Sequence, residues 1–152
     1  MQGSFDATDA ARALAERHLR FGWWALLGFL AVGLVLEAFH GFKIGLYLDV
    51  PNETRRLMWT LGHAHGTLFA LVNLGFAAAV LARPAWGERP RNAASACLRA
   101  GSLMMPLGFF LGGVWVHAGD PGVGIVLAPL GGALMLAAVA LTALAVGRGT
   151  GG

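Results

Sequence analysis

Long apolar runs alternate with short polar breaks along this chain. Four runs stand out, at residues 21–39, 57–82, 100–116 and 123–146. A bilayer core about 30 Å thick takes roughly 20 residues of helix, so the runs have the length of membrane-crossing helices. The pattern predicts an all-α fold, an integral membrane antiparallel four-helix bundle. Residues 1–20 form a polar N-terminal segment before it and residues 147–152 a tail after it. The turn Gly119-Asp120-Pro121-Gly122 is tight, which makes the third and fourth helices neighbours.

Composition narrows the class further. Of 152 residues, 57% are hydrophobic and 12% charged, too apolar for an ordinary soluble domain of this length. The net charge of +3 is no argument for nucleic acid, which needs a clustered basic patch on a folded surface. The basic residues set topology instead, because short loops rich in them stay on the cytoplasmic side. Arg12, Arg17, Arg20, Arg83, Arg89, Arg91, Arg99 and Arg148 fall on one side, and Lys43, Arg55 and Arg56 on the other. Both termini are therefore expected on the cytoplasmic side of the membrane. The first run is too long for the core of a cleavable signal peptide and reads as an uncleaved anchor. The single cysteine, Cys97, excludes an intramolecular disulfide or a Cys-x-x-Cys site.

In the loop over residues 41–56, Tyr47 and Lys43 read as anchors at headgroup level. Pro51-Asn52 reads as a turn and N-cap for the second helix. Asn52-Glu53-Thr54 matches a glycosylation sequon but abuts the membrane, so the capping role is favoured.

The titratable residues of the runs share one side. Glu37 and His40 close the first run, His63 and His65 lie early in the second, and His117 and Asp120 close the third. In helices of alternating direction, late, early and late are one face of the membrane, here the outer one. Ionisable groups in a span are costly to bury and point to function by default. The candidate metal ligands are Glu37, His40, His63, His117 and Asp120, and the candidate cofactor ligands are His63, His65 and His117. Glu37 and His40, three residues apart, share a helix face, as carboxylate and imidazole ligands do in di-metal bundles. Asp120 stands at the same spacing from His117 and can orient its imidazole. His63 and His65 point about 200° apart on a helix, so one ion cannot take both. His63 is the expected inward one, within the small-residue pattern Gly62, Gly66 and Ala70, with Glu37 or His117 as partner. Gly108 and Gly112 form a second close-packing pair. Asn73 is expected to hydrogen-bond between helices.

The segment Arg55-Arg56-Leu57-Met58-Trp59-Thr60-Leu61-Gly62-His63-Ala64-His65-Gly66-Thr67-Leu68 resembles the His-x-His helix of small uncharacterised bacterial four-helix membrane proteins. More distantly it is similar to the histidine-bearing helices of haem-copper oxidases and NnrS-type haem and copper proteins. That resemblance implies an axial-ligand role for His63 or His65.

Three functions follow as expectations. The first is a metal- or haem-binding membrane protein, with haem, copper, iron or zinc as the cofactor. The second is a non-catalytic accessory or structural subunit, with the lipid bilayer and a homo-oligomer or larger membrane complex as partners. The third is a small proton-relay or transport element. No nucleophile elbow, phosphate-binding loop or His-Glu-x-x-His motif is present.

Overall fold

A computed structural model describes residues 2–49 and 53–147. Among these the chain is all-helical: α1 (Gln2–Gly41), α2 (Thr54–Ala82), α3 (Glu88–Val114) and α4 (Leu127–Gly147), with a 3-10 turn at Val123–Val126 leading into α4. All four helices are long and apolar enough to cross a membrane, α4 together with its 3-10 lead-in. The turn at Pro51-Asn52, the asparagine of the sequon and the basic charge of Arg148 lie outside the described residues, and the N-cap of α2 is Glu53, without a side-chain capping bond, rather than Asn52.

Two helices begin well before their apolar runs. In α1, Ala11, Leu14, Ala15 and His18 recur at helical spacing and are buried, while Arg12, Arg17 and Arg20 face outward. α3 starts at Glu88 rather than residue 100, because Arg91, Ala94, Ser95 and Leu98 make an equivalent stripe. The turns from Ala11 to His18 and from Arg91 to Leu98 therefore build core: Leu14 and Ala15 pack with Ala94 and Leu98 against Phe76 and Val80 of α2. Arg91, read as a loop charge, is only 3% exposed.

The helices pack in chain order, α1 on α2, α2 on α3 and α3 on α4. Between α3 and α4 the approach is backbone to backbone. A Cβ on Gly108 would stand 2.5 Å from the Ala128 nitrogen, and one on Gly131 2.5 Å from the Met105 nitrogen. Gly62 and Gly66 work differently, since their missing side chains make room for the Phe110 and Phe29 rings.

The end of α1 and the α3–α4 turn are fixed by backbone chemistry. α1 ends in a Schellman motif: Ile44 N–H donates to the Phe39 carbonyl (2.9 Å) and Lys43 N–H to that of His40 (3.2 Å). Lys43 takes the left-handed position at φ 53°, which usually falls to glycine. The α3–α4 turn lies two residues earlier than the sequence implied. It is His117-Ala118-Gly119-Asp120, closed by reciprocal bonds between the His117 and Asp120 backbones (2.9 and 3.1 Å). Positive φ at both Ala118 (50°) and Gly119 (92°) makes it a type I′ turn.

Tyr47 is not a surface anchor. It is 6% exposed, its hydroxyl shares a hydrogen bond with Thr60 Oγ1 (3.1 Å), and its ring stacks on Trp59. Arg55, read only as an outer-loop charge, holds the end of α3. Its Nε–H donates to the Gly113 carbonyl (2.9 Å) and another N–H to Leu46 O (3.1 Å). A cation on unpaired C-terminal carbonyls is favourable both for the helix dipole and for hydrogen-bond satisfaction.

Candidate functional site

The polar centre of the molecule lies where α1, α2 and α3 meet at the arginine-rich end, and its hub is His18. This imidazole is fully buried. Its Nδ1 lies 2.7 Å from Asn73 Oδ1 and its Nε2 2.8 Å from Ser95 Oγ. Asn73 Nδ2 donates to the Phe69 carbonyl (2.8 Å) and to Ser102 Oγ (2.8 Å). Ser102 Oγ–H donates in turn to the Leu98 carbonyl (2.7 Å).

The direction of every bond follows from one end. The Phe69 carbonyl can only accept, so the amide atom facing it is Nδ2 and Asn73 presents its oxygen to His18. His18 Nδ1 must therefore carry the proton. Nε2 of the neutral ring accepts from the Ser95 hydroxyl. One tautomer of one histidine thus joins three helices, and every side-chain N–H and O–H of the network is used. Phe76 lies against the imidazole, ring centroids 4.5 Å apart, and closes the network off.

Asn73 makes the interhelical bond expected of it. His18 was passed over because Glu16, Arg17 and Arg20 make its surroundings read as a polar leader. The signal that finds it is the spacing of Ala11, Leu14, Ala15 and His18, which puts the histidine on the apolar side of an amphipathic helix.

The six residues expected at the other end are placed as follows. Glu37 and His40 are exposed and line a groove of about 530 Å³ with Tyr47, Glu53 and Arg56. Arg56 is paired there with Glu53 (2.7 Å). His63 lies on the α1 side of α2, its Nδ1 donating to the Phe29 carbonyl (2.8 Å). Its ring covers Gly33, where a Cβ would strike it. The hydrogen-bond partner of Nδ1 is thus a backbone carbonyl of α1. His65 lies on the α3 side, stacked on Phe109 at 5.0 Å, with Nδ1 donating to Leu61 O (2.8 Å) of its own helix. His117 and Asp120 are exposed in the type I′ turn, which docks through the bond from Thr54 Oγ1 to Gly119 O (2.6 Å).

All six residues therefore belong to one end of the molecule: Glu37 and His40 share one groove, His63 faces α1, His65 faces α3, and His117 and Asp120 lie in the turn. Among the described residues no three His, Cys, Asp or Glu side chains form a group able to hold a metal ion. Comparison with protein-family models, curated proteins and solved structures finds no match.

Proposed function

We propose that this chain is a multi-pass integral membrane protein, an antiparallel four-helix bundle of the bacterial inner membrane with both termini cytoplasmic, serving as a non-catalytic accessory or structural subunit. The observation that carries this reading is the His18 network. Its histidine, amide and hydroxyls are bonded to one another and to the backbone, which describes a pin between helices rather than an open reaction site. The membrane part draws support from the surface. Only 17% of the most apolar window of α1 and 22% of that of α4 are buried inside the molecule, and Trp24, Leu34 and Leu136 are at least 70% exposed. So much apolar surface needs lipid or protein around it. Contacts that run in opposite chain directions, Gly22 with Leu74 and Gly33 with His63, Gly101 with Met135 and Gly108 with Ala128, support antiparallel order.

Topology is tested in a Cys97→Ser background by single cysteines at two exposed positions. Asp49→Cys is expected to react with an impermeant maleimide in intact cells. Asn92→Cys is expected to react only after permeabilisation. The reverse pattern overturns the orientation.

A second reading, the metal- or haem-binding protein, has one observation in its favour. His63 and His65 both commit Nδ1–H to a carbonyl, which leaves Nε2 as the ligating nitrogen and matches the usual support of a metal-bound histidine. Protein purified in mild detergent decides between the two. The accessory reading expects no Soret band and no stoichiometric copper, iron or zinc. A Soret band or bound metal that disappears in His63→Ala or His65→Ala would replace it with the second reading.

A further inference from the structure

α1 packs on α2 and reaches α3 through His18, and beyond that contact a groove of about 740 Å³ stays open between α1 and α3. Phe21, Trp24, Gly28 and Val32 of α1 and Leu103 of α3 form its walls, and Arg17, Arg20 and Arg99 its mouth. We propose that this groove is a binding site for an anionic phospholipid of the cytoplasmic leaflet, with one acyl chain along α1 and the phosphate among the three arginines. The proposal rests on the membrane reading above.

Length, charge and symmetry argue for this occupant. From Phe21 to Val32 the helix rises about 17 Å at 1.5 Å per residue. One leaflet is half of a core of about 30 Å, so the apolar wall matches a single acyl chain. The arginines sit just beyond the end of that wall, at headgroup level. All three are exposed, and none has a carboxylate partner among the described residues. Guanidinium groups bind phosphate through paired N–H donors. A second copy of the chain seated across the same groove by two-fold symmetry would bring these cations against their own images, whereas a phosphate neutralises them.

The molecule carries its own comparison. A second apolar groove, about 460 Å³, runs between α2 and α4, lined by Val72, Gly75, Val139 and Ala143, with no basic residue among its walls. It can take a chain but offers nothing to a headgroup. In both grooves the glycine is open, since a Cβ on Gly28 or Gly75 meets nothing within 4 Å. Tryptophan at either position fills its groove without disturbing the helix packing.

The test begins with carbonate extraction of membranes from cells expressing the full chain, because a protein released by carbonate would overturn the membrane reading itself. Retained protein is then reconstituted in nanodiscs of equal phosphatidylglycerol and phosphatidylcholine, and the lipid kept on release into detergent is identified by native mass spectrometry. The wild type is expected to keep phosphatidylglycerol preferentially, one molecule per chain. Each of Arg17→Gln, Arg20→Gln and Arg99→Gln should reduce the preference about fivefold, the effect of one basic residue near an anionic surface. Gly28→Trp should abolish it and Gly75→Trp should leave it intact, with helicity by circular dichroism unchanged in both. Equal retention of the two lipids, or a preference that survives Gly28→Trp, overturns the proposal while leaving the membrane reading standing. A dimer that Gly28→Trp dissociates would give the groove to a second copy and overturn it as well.

Discussion

Replacing His18 by alanine is expected to destabilise the protein by about 2–4 kcal/mol, measured as a shift of the unfolding transition in mild detergent. The change strips a partner from two buried groups at once, Asn73 Oδ1 and Ser95 Oγ, and each orphaned group costs about 1–3 kcal/mol. A single interhelical hydrogen bond in a membrane protein averages only about 0.6 kcal/mol, so the larger figure depends on His18 serving three helices together. Thr142→Ala is the reference. Its hydroxyl donates to the Ala138 carbonyl of its own helix (2.8 Å), and its loss should stay within about 0.5 kcal/mol. The double change His18→Leu with Asn73→Leu should cost less than the sum of the two singles, since each leaves the other group unpaired only when made alone. If His18→Ala proves as mild as Thr142→Ala, the network does not hold the bundle together.

What could and could not be read from the sequence divides along a physical line. Apolar run length and loop charge report how deep a residue lies, and depth was enough to place Glu37, His40, His63, His65, His117 and Asp120 at one end. Neither reports the angle around the bundle, which depends on which helix lies beside which. The angular inferences available rest on geometry within a single helix: Glu37 and His40 do line one groove, and His63 and His65 do face α1 and α3 respectively. Averaging hydropathy over a window also blurs the two sides of an amphipathic helix into one polar segment. That is why residues 2–20 of α1 read as a leader and the first turns of α3 as a loop ending in a short amphipathic lead-in, and why His18, Ser95 and the buried Arg91 were not anticipated. Tyr47 was misplaced for a related reason: an aromatic residue in a loop looks the same in sequence whether it faces lipid or, as here, Thr60 and Trp59.

A series of glycine-to-alanine changes should separate close helix packing from mere small size, and Gly108→Ala should have the largest effect, a loss of about 2–3 kcal/mol. The added methyl would lie 2.5 Å from the Ala128 nitrogen and 3.0 Å from the Leu127 carbonyl carbon. Both are backbone atoms that cannot rotate away, so α3 and α4 must part. Overpacking of this kind costs about 1–3 kcal/mol, and separation also loosens the neighbouring approach of Gly101 to the Gly131 carbonyl (a Cβ there would stand at 2.8 Å). Gly66→Ala meets the Phe29 ring first, a side chain that borders the α1/α3 groove and can turn into it, so a loss of about 1 kcal/mol is expected. Gly28→Ala meets nothing and should stabilise by up to about 1 kcal/mol through helix propensity alone. The three unfolding midpoints should therefore rank Gly28→Ala above the wild type, Gly66→Ala below it and Gly108→Ala lowest. A Gly108→Ala protein as stable as Gly28→Ala would mean that α3 and α4 do not meet backbone to backbone, and the packing that sets the whole α3–α4 half of the bundle would have to be redrawn.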